Sequence, residues 1–223
     1  MFSEPQPGLR RLIDLPALGW RSLEVTDTGL RIAATCSMAE LYAFEAPADW
    51  AAGALFTTSC EAFLASFKVL SSATVGGNIC LSLPAGPMIT LTVALAADYT
   101  LWAPDGSQRT VAAADFVTGD HQNVLQPGEV LRSIDIPISA LRKRHAHRRF
   151  TLTKLGRSTI FMVATRSPDT SDFLLTITAA TIHPIRLVFN MIPDSGVLQQ
   201  AIDGLPDAVW FDDANGKIGR AHV

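Results

Sequence analysis

Five consecutive residues, Thr74-Val75-Gly76-Gly77-Asn78, put a hydroxyl, two side-chain-free positions and a carboxamide side by side. Adjacent glycines reach backbone conformations closed to other residues and let a ligand approach the main chain with no Cβ in the way. Successive N–H groups in such a stretch form a concave nest for an anion, and Thr74 and Asn78 add neutral hydrogen-bonding groups suited to orienting a pyrophosphate. The plain rival is a Gly-Gly turn between strands. Other chemistries find less support. No GxSxG, GxGxxG or GxxxxGK[ST] pattern occurs, so a nucleophile elbow, a Rossmann fingerprint and a P-loop are not expected. His145 and His147 are two apart, the wrong spacing for one helix face, with no carboxylate beside them. Asp212-Asp213 is a cation candidate, with a solvated tail as the alternative.

The elements that must hold this loop are legible in outline. The 223 residues are 48% hydrophobic and 17% charged with a net charge of -3, a globular composition with no footprint for nucleic acid. The opening residues carry no apolar core of a secretory signal, and runs such as PMITLTVALAA are too short to span a bilayer. Cys36, Cys60 and Cys80 are widely spaced, which fits small buried hydrophobes in a reducing cytoplasm rather than a metal cluster on this chain. LIDLPAL and RSLEVTDTGLRIAAT read as short strands around a turn at Asp27-Thr28-Gly29. SMAELYAF carries a capping box, DWAAGALFTTSCEAFLASF has helical spacing, and ITLTVALAA reads as a buried helix. Asp105-Gly106 marks a hairpin, and Pro127-Gly128 a turn into an alternating strand. The basic run SALRKRHAHRRF is expected as a solvated linker at a domain boundary, with a phosphate or partner contact as the other reading. FTLTKL, TIFMVATR and DFLLTITAATI follow as antiparallel strands, then a helix at SGVLQQAIDGL and a polar tail.

In order and spacing the chain resembles the FAD-binding medium subunit of molybdenum hydroxylases, the carbon monoxide dehydrogenase and xanthine dehydrogenase family. ATVGGNI is similar to the family's flavin loop. LIDLPAL and LRIAATCSMAEL look like the segment before it. DGSQRTVAAADFVTG and LQPGEVLRSIDIP look like the hairpin, short helix and Pro-Gly-Glu strand after it. KLGR and WFDDANGKIGRAH resemble the opening and close of the small C-terminal domain. The resemblance implies an α+β fold, with a partial vanillyl-alcohol-oxidase-type FAD-binding domain over 1–140 and an antiparallel-sheet-plus-helix domain over 141–223. It implies that Ala73, Thr74, Gly76, Gly77 and Asn78 hold the FAD pyrophosphate and ribityl region, that Leu131 packs near the flavin and that Lys154 reaches toward its ring. It further implies an electron-transfer subunit, with molybdopterin on a large partner subunit, iron–sulfur clusters on a small one, and NAD or another acceptor taking the electrons.

Three departures from the family pattern stand out. The family's other Gly-rich loop, of the AGGT kind, lies upstream of LIDL and has no counterpart in these residues. Pro87 occupies the position of an Asp that reaches the cofactor, and proline offers neither an acceptor side chain nor an N–H. Ala33 stands where the family favours Gly. These keep open a flavin-free structural or assembly subunit with the same fold and docking surface. A free-standing small-molecule-binding domain is a third reading.

Overall fold

The computed structural model describes residues 12–154 and 156–210, and the backbone of 212–213 and 216–217. Leu12–Leu18, expected as a strand, is irregular and ends in a 3₁₀ turn at Pro16–Leu18; Pro16 has no N–H to give a sheet. The chain then turns between β1 (Leu23–Thr26) and β2 (Gly29–Ala33), as the sequence predicts. Gly29 is required there, since φ is +148° and a Cβ would collide with the Ile136 carbonyl.

Helices follow: α1 (Met38–Tyr42), α2 (Ala54–Ala62), α3 (Phe67–Ser72), α4 (Val75–Cys80) and α5 (Pro87–Ala94). The capping box on α1 is complete: Ser37 Oγ accepts from Glu40 N–H at 3.1 Å, and Glu40 accepts from Ser37 N–H at 2.8 Å. The hairpin β3 (Asp98–Trp102) and β4 (Gln108–Ala112) closes over Asp105-Gly106, with Gly106 at φ +85°. After α6 (Ala113–Phe116), β5 (Val117–Gly119) and β6 (Gln122–Asn123) come β7 (Val130–Pro137) and α7 (Ile138–Leu141). The first sheet runs β1-β2-β7-β3-β4 with all its pairs antiparallel.

The basic run differs from expectation. Residues 144–150 are not a linker but β8 (Arg144–Phe150), an edge strand paired with β9 (Ile160–Arg166) over seven residues. Alternation explains it: β8 keeps every second residue half-buried on one face, and period-two patterning is a strand signal whatever the charge. FTLTKL is not a strand, because Phe150 ends β8 and the described residues after it form a turn. β10 (Phe173–Thr178) and β11 (Ile185–Phe189) complete a second sheet, ordered β11-β10-β9-β8, and α8 (Ser195–Asp203) packs on it. β12 (Asp212–Asp213) pairs with β13 (Gly216–Lys217); most of the expected tail lies outside the described residues.

All eight residues of α5 are buried, its two threonines included, so this helix is enclosed on every side. The main core joins Leu30, Ile32 and Ile134 of the first sheet to Ile89, Leu91 and Val93 of α5, and to Phe161 and Val163 of β9. Thr90 and Thr178, both buried, share a 2.7 Å hydrogen bond between α5 and β10. No helix among the described residues is long and apolar enough to cross a membrane.

Candidate functional site

The Gly-Gly pair does not form a turn between strands; it lies inside the first turn of α4. Thr74 is the N-cap, its hydroxyl accepting from Gly77 N–H at 3.0 Å. Val75 N–H donates to Cys36 O at 2.8 Å, Gly76 N–H to Ala34 O at 3.0 Å and Asn78 N–H to Thr74 O at 3.0 Å. The consecutive N–H groups read as an anion nest are therefore committed within the chain.

Each glycine has its own reason. A Cβ on Gly76 would lie 2.5 Å from Ala34 Cβ and 2.7 Å from Ala34 O, so Gly76 lets α4 press against the end of β2. A Cβ on Gly77 would meet only Thr74 Oγ1, at 2.9 Å. Gly77 is exposed and faces a cleft of about 450 Å³.

That cleft is where the separated residues meet. Ala34 and Thr35 follow β2, Thr74, Gly76, Gly77 and Cys80 come from α4, and Leu125, Glu129 and Leu131 come from the approach to β7. Ile13 to Pro16 close another side. Leu131 is buried at 3% exposure, so it is a core residue with one surface on the cleft. The wall at 124–131 is stapled by Arg109, which sequence reasoning did not single out. Its guanidinium grips Glu129 through two bonds of 2.7 and 2.8 Å and donates to Val124 O at 2.7 Å. Gln126 N–H donates to the same carboxylate at 2.7 Å. Those bonds, the Arg109 ones foremost, hold the Glu129 carboxyl down at about 2. The Pro-Gly-Glu motif marks the turn, but nothing in sequence pairs it with Arg109.

The remaining expected residues lie elsewhere. Ala73 ends α3, donating to Val69 O and accepting from Met38 N–H. Asn78 is buried, and its Oδ1 accepts from Met88 N–H at 3.1 Å, the first free N–H of α5. Pro87 opens that helix without needing an acceptor, so Asn78 caps α5 from outside it and keeps only its amide nitrogen uncommitted. Lys154 is exposed in the turn after β8, beside a second cleft of about 420 Å³ whose lining includes Pro84, His121, Thr153, Arg157 and Ala179. Ser82, His121 and Ala179 around it all have φ between 53 and 71°, a region strained for non-glycine residues. His121 N–H donates to Ser82 O and Ala179 N–H to Pro84 O, which holds the elbow at 82–85 in place.

The thiols are inert in this setting: burial pushes Cys36 and Cys60 up to about 12 and Cys80 to about 11. His145 and His147 share one face of β8, their rings stacked 6.2 Å apart, a juxtaposition the helix criterion missed. No group of three His, Cys, Asp or Glu able to hold a metal occurs among the described residues.

Known proteins share sequence and fold with this chain. Residues 2–139 match the family described as FAD binding domain in molybdopterin dehydrogenase. Xanthine dehydrogenase of rice is 30% identical over 122 residues, 52% of this chain and 9% of the rice protein. Carbon monoxide dehydrogenase medium chain of Afipia carboxidovorans is 40% identical over 65 residues, 29% of this chain and 22% of that one. The chain thus spans under a quarter of the curated relatives named here. In solved structures the fold recurs in carbon monoxide dehydrogenase of Hydrogenophaga pseudoflava, with a TM-score of 0.73 at 21% identity over 89% of this chain and 71% of that one. It recurs in quinoline 2-oxidoreductase of Pseudomonas putida 86, at 0.70 and 18% identity over 87% of this chain and 70% of that one.

Proposed function

This chain belongs to the family of FAD binding domains of molybdopterin dehydrogenases, and from that premise we propose that it is the flavin-binding, electron-transferring part of a molybdenum hydroxylase assembly. Residues 1–140 serve as the flavin domain and 141–223 as its C-terminal partner. The observation that carries this reading is the convergence of Thr74, Gly76, Gly77 and Leu131 on one cleft. The residues fit the cofactor at Gly77, where a side chain would project into that cleft and where only a hydroxyl stands nearby.

When bound, FAD supplies a carrier that accepts and releases electrons; the protein supplies its placement. Gly77 leaves room for the pyrophosphate against the start of α4, and Thr74 Oγ offers a donor, while Asn78 acts from behind by tying α4 to α5 through Met88 N–H. Leu131 and Leu125 give the cleft an apolar wall that excludes water, and the Arg109–Glu129 staple fixes it. Lys154 lies beside the second cleft and would set its cation near the flavin ring only if the bound cofactor reached from the first cleft to that one. Molybdopterin and iron–sulfur clusters then belong to partner subunits in the cytoplasm, and NAD or another acceptor takes the electrons.

The committed N–H groups of Val75, Gly76 and Gly77 favour the second reading, a flavin-free assembly subunit. Titrating the chain with FAD, following the visible band and fluorescence quenching, separates the two. Saturable binding weakened about tenfold or more by Gly77→Ala supports the flavin reading; no binding, alone or with partner subunits, supports the other.

A further inference from the structure

Charge is sharply segregated along this chain. Residues 140–166 hold eight of its eighteen Lys and Arg and none of its twenty-one Asp and Glu. Folding does not neutralise them: among the described residues the one ion pair they make is Arg142 with Asp49. The strand β8 carries three of the eight, Arg144, Arg148 and Arg149, and lies at the sheet edge, with β9 on one side only. Its outer row, Arg144, Ala146 and Arg148, is exposed. Arg144 sits directly opposite Arg166 on the same face, and neither guanidinium has a hydrogen bond or ion pair among the described residues. Like charges facing each other across a ladder are destabilising, so an anion between them is a gain rather than a cost. Beside the row runs a groove of about 470 Å³ between β8 and α8, floored by Ala146, Ala164, Met162 and Leu175, with no carboxylate in its lining.

We propose that this edge docks an extended, acidic segment of a partner polypeptide, which adds to β8 as a further strand. Its carboxylates lie opposite Arg144 and Arg148, four residues apart as the register requires, and a small or apolar side chain between them meets Ala146 and the groove. Main-chain pairing supplies affinity and the arginines supply selectivity. A row of charges also serves to blunt an edge against aggregation; the unneutralised Arg144–Arg166 pair and the carboxylate-free groove favour a partner. The docking does not depend on flavin binding.

The test uses the full chain and a fluorescein-labelled peptide repeating Glu-Thr-Val-Thr, which sets Glu every fourth residue with Val midway between on the same face, followed by anisotropy. Three comparison ligands accompany it: Gln in place of Glu, a central Pro, and a single-stranded oligonucleotide. Saturable binding of the Glu peptide is expected, about tenfold weaker for the chain with Arg144→Glu and Arg148→Glu. Lysine at both positions should restore most of it. Slowed hydrogen exchange at β8 amides in the complex is the mark of strand addition. Failure of the Glu peptide to bind the correctly folded chain overturns the proposal, as does equal binding of the Gln or Pro peptide. Tighter binding of the oligonucleotide overturns it in favour of a nucleic-acid surface.

Discussion

The two glycines of α4 make opposite predictions when each is replaced by alanine. At position 76 the new methyl would stand 2.5, 2.7 and 2.8 Å from Ala34 Cβ, O and Cα. Two of those atoms are backbone of the segment leaving β2, so relief requires α4 and β2 to separate. Overpacking of this kind costs about 1–3 kcal/mol, partly offset by up to about 1 kcal/mol of helix propensity. The net loss is about 1–2 kcal/mol, or about 2–8 °C in Tm for a chain of this size. At position 77 the only contact is Thr74 Oγ1 at 2.9 Å. Propensity gained and capping lost nearly cancel there, leaving stability within about 1 kcal/mol of the parent. Thermal and urea unfolding of both variants, with the FAD titration run on each, separates the roles. Gly76→Ala should lower stability, and Gly77→Ala should lower FAD affinity at little cost in stability. Adding Ala34→Gly to Gly76→Ala should restore only part of the loss, because the backbone of residue 34 still crowds the new methyl. A Gly76→Ala chain as stable as the parent, or a Gly77→Ala chain destabilised as much as Gly76→Ala, would refute the division of labour.

Further outcomes follow from the same geometry. Asn78→Ala strands the buried Met88 N–H and should cost about 1–3 kcal/mol, whereas Asn78→Asp keeps an acceptor there; urea midpoints distinguish them, and Asn78→Ala alone is a poor control for flavin binding. Glu129 has a folded pKa near 2 against an ordinary 4.5, so its contribution is complete above about pH 4.5 and fades as pH falls toward 2; Glu129→Gln should flatten that part of the stability–pH curve. Burial lowers the pKa of His145 from 6.5, so its protonation opposes folding; His145→Gln should flatten the loss of stability below pH 6.5. Thiol labelling of the folded chain at pH 7 should be slow at Cys36 and Cys60 and accelerate in urea; rapid labelling of the native chain would contradict their burial.

Much of the fold was legible because its signals are local. The capping box at Ser37 and Glu40, the Asp105-Gly106 hairpin and the apolar-rich run of α5 each depend on a few neighbouring residues. What stayed hidden depends on distant contacts or on competing signals. Composition concealed β8, whose arginines suggest solvent while its alternation specifies a strand. Gly76 looked like ligand space, and its purpose appears only when Ala34 is placed against it. Asn78 has the chemistry of a ligand contact, yet Pro87 leaves the next N–H of α5 in need of an acceptor. Leu131 came from resemblance alone, since nothing in its neighbourhood distinguishes it from any buried strand residue.

The buried helix α5 has a consequence for how the protein is made. During synthesis it leaves the ribosome before β9 and β10, the strands that cover one of its sides, exist. At about 5–20 residues per second the wait from its last residue to the end of β10 is roughly 4–17 s. Throughout that interval a helix rich in apolar residues is exposed on a nascent chain, a natural target for holding chaperones. Truncation before β9 makes the exposure permanent, so fragments ending near residue 140 should accumulate as aggregates rather than as small independent domains.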